Sequence, residues 1–210
     1  MAELVVTNTK QYSASFTAGS LLLEEISRII DYIINDTLEE KKKEIITNNA
    51  IKINSESARK RVLQEIRKRK KSVDPVVWKR FAVSNQTEQK ILLFYVCLKT
   101  YTLLYVFQKE VVLENWKNMK LELDERDVEL FLERKSYEHP EIDEWTESTR
   151  DKVVQVVIRV LKEAGILIDY KLLPLELNNE FWKLFVELND EWFLELALLN
   201  KDQRNKVLRN

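Results

Sequence analysis

With 210 residues, of which 45% are hydrophobic and 33% charged, and a formal charge of −1, the chain is long and apolar enough to bury a core, which excludes intrinsic disorder. Two glycines, Gly19 and Gly165, and three prolines, Pro75, Pro140 and Pro174, are too few for the turns of a many-stranded fold, so the predicted class is all-α. The single Cys97 excludes an internal disulfide, and the polar stretch 1–15 lacks the apolar core of a signal peptide, which points to the cytoplasm.

Small polar residues over 12–19 lead to Ser20 and a periodic apolar stretch, 21–34, predicted as the first helix. Thr37 and Glu40 have the spacing of a capping box for a short helix ending near Asn48 and Asn49. After a turn over 51–54, a helix starts at Ser55 to Ser57 and runs to about Lys71, and Asp74 with Pro75 forms the N-cap and first turn of a helix over 75–83. Thr87 opens the longest segment, to about Phe107, whose near-continuous apolar character predicts a central helix. Its apolar stretch 91–107 is shorter than the ~20 residues of a bilayer span and carries Lys99, so a core helix is expected and no membrane.

Residues 111–119 extend that helix or form their own, and 124–137 is a helix with acids in its first turn, favourable for its dipole. Pro140 ends the run. A helix over 146–164 closes at Gly165, 166–177 is extended enough for a short hairpin, and 178–199 supplies two more helices. The expected architecture is a compact bundle of about nine or ten helices, arranged as lobes 1–85 and 86–210 or as one continuous domain.

Two helix starts 91 positions apart read almost alike: Ser55-Glu56-Ser57-Ala58-Arg59-Lys60-Arg61-Val62 and Thr146-Glu147-Ser148-Thr149-Arg150-Asp151-Lys152-Val153. At the same offset Arg61, Gln64, Lys68 and Lys71 align with Lys152, Gln155, Arg159 and Lys162, while Val62, Leu63 and Ile66 align with Val153, Val154 and Val157. At about 100° per residue the apolar set lies on one side of each helix and the basic set, with Lys60 and Arg67 in the first copy, on the other. Each copy follows a helix and a short connection, which is helix-turn-helix order; the second helix of that motif brings small and basic residues to the DNA major groove. Ser55, Ser57, Arg59, Ser148, Thr149 and Arg150 satisfy that need at the starts, Gln64 and Gln155 are candidates for a base edge, and the lysines and arginines suit phosphates.

A plainer reading makes the hydroxyls caps and the lysines a solvated face. Against it, eight of the thirteen residues from Arg59 to Lys71 are basic and one, Glu65, is acidic, and like charges at this spacing weaken a lone helix unless an anion answers them. The second copy is interrupted by Asp151 and follows the acidic segment 122–147.

Three blocks resemble the BrxA family of bacteriophage exclusion (BREX) systems: Tyr12-Ser13-Ala14-Ser15-Phe16-Thr17-Ala18-Gly19-Ser20-Leu21-Leu22, the helix from Ser57 to Arg69, and Lys135-Ser136-Tyr137-Glu138-His139-Pro140-Glu141-Ile142, continuing through the second helix start to Ile166-Leu167. The resemblance implies an all-helical fold likened to the antitermination factor NusB, helix-turn-helix elements, duplex DNA as partner, a setting among other BREX proteins, and no catalytic motif or cofactor.

Two glycines so far apart exclude a phosphate-cradling loop, and one Cys and one His are too few for a zinc site. Cys97 lies in the most apolar helix and reads as a packed thiol, and His139 before Pro140 as part of a turn. Trp78, Trp116, Trp145, Trp182 and Trp192 are dispersed and read as core rather than base-stacking residues. The C-terminal pattern Phe181, Trp182, Leu184, Phe185, Leu188, Trp192, Phe193 and Leu196 is either core or a partner interface. The sequence thus predicts a non-catalytic double-stranded-DNA-binding protein without cofactor or small-molecule substrate; the alternatives are an interaction scaffold docking through its acidic segment, and RNA binding.

Overall fold

The computed structural model describes residues 12–209. A 3-10 turn, Ser15–Ala18, precedes α1 Leu23–Ile34, α2 Lys42–Thr47, α3 Glu56–Ser72, α4 Pro75–Val83, α5 Gln86–Thr100, α6 Thr102–Phe107, α7 Leu113–Lys117, α8 Glu125–Ser136, α9 Pro140–Asp143 and α10 Glu147–Ala164. A hairpin of β1 Leu167–Ile168 and β2 Lys171–Leu172 follows, then α11 Asn179–Glu187, α12 Trp192–Leu196 and α13 Lys201–Arg209. The predicted all-α class holds. The helical segments outnumber the nine or ten expected because short ones, such as α6, α7, α9 and α12, break up stretches that periodicity alone leaves continuous.

Helix α5 is the centre. Asn85 caps it in a capping box with Glu88, every residue from Ile91 to Leu98 is buried, and α1, α3, α4 and α10 pack around it. The expected continuation to Phe107 does not occur: Tyr101 leaves the helical region, with φ −119° and ψ 105°, and α5 meets the segment 102–117 at 106°. The cause is on both sides of the break. Thr100 turns its hydroxyl back onto the Val96 carbonyl at 2.6 Å, and the Tyr101 phenol is drawn into hydrogen bonds with α3. No single helix among the described residues is long and apolar enough to cross a membrane.

Local signals otherwise place most elements. Ser55, Asp74, Asp124, Thr146 and Asn178 each accept a backbone N–H as N-caps of α3, α4, α8, α10 and α11, and Gly165, at φ 84°, ends α10 in the left-handed conformation that glycine adopts without strain. Thr37 and Glu40, in contrast, cap nothing. Leu38 is drawn fully into the core, the chain turns there, and α2 starts later, after Lys41, with no side-chain cap.

The C-terminal aromatic pattern resolves into core. Phe181, Phe185 and Phe193 are fully buried, and the rings of Phe185 and Phe193 lie 5.0 Å and 5.2 Å from that of Tyr95 on α5. Asp190 fixes this packing, accepting hydrogen bonds from Tyr95 Oη at 2.5 Å, Trp192 Nε1 at 2.6 Å and Lys99 Nζ at 3.0 Å. Trp78 and Trp182 are buried, and Trp116, Trp145 and Trp192 pack partly against the same core. Helix α13, beyond the two helices expected in this region, adds Val207 to it.

Candidate nucleic-acid interface

Helix α3 packs Val62, Leu63 and Ile66 inward, as its periodicity predicts, but two ionisable residues share that buried face. Arg69 is 1% exposed; its guanidinium donates to the carbonyls of Leu21 at 2.8 Å, Ser20 at 2.6 Å and Gly19 at 3.1 Å, and to Tyr101 Oη at 3.0 Å. Buried Glu65 accepts from the same phenol at 2.8 Å and from Ser15 Oγ at 3.3 Å. A buried charge is tolerable when its hydrogen bonds are met, and here the free carbonyls ahead of α1 meet them. Gly19 leaves room for the Leu22 side chain to pack over this segment: a Cβ there would stand 2.2 Å from Leu22 Cδ2.

Other cations of the run are also engaged within the chain. Arg67 pairs with Glu39 at 2.5 Å, Lys70 with Asp36, and Lys60 with Glu56 at 2.6 Å; these partners hold the Asp36, Glu39 and Glu56 carboxyls below the usual carboxylate range, chiefly through the side-chain hydrogen bond. Arg59 turns back to donate to the Ile53 and Asn54 carbonyls at 2.6 and 2.9 Å. The residue in register with it, Arg150, does the same to the Ile142 carbonyl and Asp143 Oδ1, both at 3.1 Å, so the repeat extends to how each helix start is tied to the preceding segment. Ser55 and Ser57 share a hydrogen bond at 2.9 Å, as do Thr146 and Thr149.

What remains outward forms two stripes. On α3, Ser57, Arg61, Gln64, Lys68 and Lys71 are exposed, and on α10, Ser148, Lys152, Gln155, Arg159 and Lys162. Both helices pack against the 3-10 turn, which lies between them, and against α5 beneath. The stripes therefore approach one another: Arg61, Gln64 and the inward-turned Glu65 from α3, Lys152 from α10, and Ser15, Thr17 and Ala18 from the turn line one open groove of about 520 Å³. Lys68 stands at its edge, 3.0 Å from Ser15 Oγ and 4.8 Å above the Tyr101 ring. On the opposite flank of the turn, Glu163 of α10 accepts Ser20 Oγ at 2.6 Å and the Leu21 N–H at 3.0 Å.

A sequence model of the BrxA family matches residues 10–189. The chain belongs to the BrxA family. It is 26% identical over 162 residues to a protein of Bacillus cereus (strain H3081.97) named BREX protein BrxA, an alignment covering 76% of this chain and 80% of that one. A protein of Paramagnetospirillum magneticum (strain ATCC 700264 / AMB-1) with the same name is 24% identical over 188 residues, 88% and 94% of the two chains. The crystal structure of an uncharacterized protein from Magnetospirillum magneticum shares the fold at a TM-score of 0.74 and 25% identity, covering 90% of this chain and 98% of that one.

The family match encloses the whole groove. Of the three blocks that carry the resemblance, the first builds the 3-10 turn and the carbonyls that Arg69 grips, the second is α3, and the third runs from the end of α8 through α9 and α10 to the start of β1. Sequence reading missed the turn, Glu65, Arg69, Tyr101 and Glu163 as parts of this arrangement. The signal available was the placement of an acid and an arginine, Glu65 and Arg69, among the apolar positions of an amphipathic helix.

Cys97 and His139 take structural places. Cys97 is fully buried on α5, and burial pushes its thiol pKa up, away from nucleophilic use. His139 packs edge-on against Tyr12, with ring centroids 4.2 Å apart, and lies 3.4 Å from Glu141, which also receives the Tyr12 N–H at 2.8 Å.

Proposed function

We propose that this chain is a non-catalytic, cytoplasmic component of a BREX phage-defence system that binds double-stranded DNA through the groove between α3 and α10. The observation that carries this reading is the convergence of Arg61, Gln64 and Lys152, with Lys68 beside them, on one open groove, while the neighbouring cations of α3 are neutralised by Glu39, Asp36 and Glu56. In this reading phosphate contacts supply the affinity, and the exposed Gln64 and Gln155 are the candidates for base edges. Helices α2 with α3 and α8 with α10 act in this reading as two helix-turn-helix-like units of a NusB-like fold, joined within lobes 1–85 and 86–210. Their connections, 48–55 and 137–146, are longer than the three to four residues usual for that motif, and the second contains α9. The relatives' shared name supports a place among other BREX proteins.

The test is a fluorescence-anisotropy titration of short duplex DNA at two salt concentrations, with matched RNA and a Lys60→Glu, Arg61→Glu, Lys68→Glu, Lys71→Glu variant alongside. Salt-sensitive duplex binding by the unmutated chain, lost in a variant of unchanged helicity, is expected. Absence of binding at low salt overturns the reading.

A further inference from the structure

Large apolar side chains remain exposed mainly in two places. Met119, Leu130, Ile168, Tyr170 and Leu173, five of the nine exposed among the described residues, belong to the segments around the hairpin and α8. A groove of about 630 Å³ opens there, bounded by 122–127, Leu130 and the hairpin tip 169–171. Its rim is acidic. Lys120 is tied to Asp127 at 2.6 Å and Arg126 to Glu129 at 3.2 Å, Lys171 stands opposite Glu122, and Glu125 and Asp169 have no cationic partner among the described residues. At the tip Asp169 and Tyr170 both occupy the left-handed region, φ 47° and 61°, a conformation in which a two-residue hairpin prefers glycine. That turn holds the half-exposed Tyr170 ring at the mouth of the groove, with Lys162 Nζ 4.7 Å from the ring centroid.

The second place is α4. Val76 and Val83 are exposed on either side of exposed Lys79, and the helix contains no acidic residue. This ridge is apolar, positive and roughly 10 Å long at 1.5 Å per residue.

We propose that the α4 ridge of one copy seats in the acidic groove of another, with Val76 and Val83 against Leu130 and Tyr170 and Lys79 answering Glu125 and Asp169. Ridge and groove are different surfaces of one chain, so the contact is heterologous and joins copies head to tail. A helix face this short buries little area, which makes the association weak and concentration-dependent, and its exposed charges make it salt-sensitive. Neither surface includes a residue lining the groove between α3 and α10; Lys162, at the far end of the α10 stripe, meets the acidic groove only at the Tyr170 ring and is left unchanged in every variant below, so failure of one reading does not entail failure of the other.

Sedimentation velocity on the full chain tests it. At low salt the weight-average sedimentation coefficient should rise with protein concentration and fall back when salt is added. Lys79→Glu and Leu130→Asp, both at exposed positions, should each sediment as monomer with unchanged helicity. Mixed in equal amounts they should stop at a dimer, because the first still offers an intact groove and the second an intact ridge. Val83→Ser and Glu125→Lys form a second pair should either of the first lose helicity. A wild-type chain that is monomeric at every concentration, variants that assemble like the wild type, or a mixture that yields no dimer each overturns the proposal.

Discussion

Helices α3 and α10 repeat one outer stripe in the same register and differ on their inner faces. Where α3 buries Glu65 and Arg69, α10 buries Val156 and Val160, the residues 91 positions on. The difference follows from what each helix holds. Helix α3 grips backbone carbonyls ahead of α1 and needs a buried cation to do it, whereas the inner face of α10 only packs, and α10 reaches the same segment through Glu163 nearer its C-terminal end. The outward charge is affected in the opposite sense. Lys60, Arg67 and Lys70 of α3 are ion-paired within the chain, while Lys152 and Arg159 of α10 have no ion pair among the described residues. The helix richer in cations by sequence is therefore the one whose cations are more fully answered from inside.

The largest effect that would break this comparison comes from exchanging the inner residues. Arg69→Met should cost about 3–5 kcal/mol in urea unfolding, because it leaves three carbonyls and Tyr101 Oη without their buried donor and removes a positive charge that acts on the buried Glu65. Val160→Ala should cost about 2 kcal/mol, from lost burial and a small cavity. Equal losses at the two sites would show that Arg69 acts as mere packing.

Next in size is a test of the outer stripes. Arg61→Glu with Lys152→Glu should weaken duplex DNA binding by at least about tenfold at low salt and reduce the log-log salt slope by about 2, one contact from each helix. Lys60→Glu with Lys71→Glu, away from the groove, should do less. The reverse order would move the interface to the other edge of α3.

Raising the pH probes the buried side of α3. Burial raises the Tyr101 pKa above the ordinary phenol value, although Arg69 opposes it, and Tyr12 is pushed up to about 12 by burial and by Glu110, Glu138 and Glu141. A raised pKa means stability that is complete below the ordinary value of about 10 and is lost as pH climbs through the folded value. The urea midpoint should therefore fall above pH ~10, and less steeply in Tyr101→Phe. The smallest effect is at the α3 edge: Glu39→Gln releases Arg67 and should tighten DNA binding by about twofold, as expected for removing one exposed ion pair. An unchanged affinity in the same titration would place Arg67 away from DNA.

Much of the fold was legible because its signals are local. The Asp74-Pro75 start, the caps at Ser55 and Thr146, the Gly165 stop and the hairpin after it each depend on a few adjacent residues and one backbone geometry. The same holds for the outer stripes, which follow from helical periodicity alone. The break at Tyr101 was not legible, since it depends on Glu65 and Arg69, 36 and 32 residues earlier. Nor was the division of labour among the basic residues of α3. By itself the sequence determined where most of the longer helices start and which outer stripes of α3 and α10 turn to water, for these are set within a turn or two of chain. Only the tertiary structure decided that Arg69 faces carbonyls, that Glu39 and Asp36 answer Arg67 and Lys70, and that the two stripes meet across the 3-10 turn. Charge acts through space, and a cation's partner is whatever the fold brings within a few ångströms.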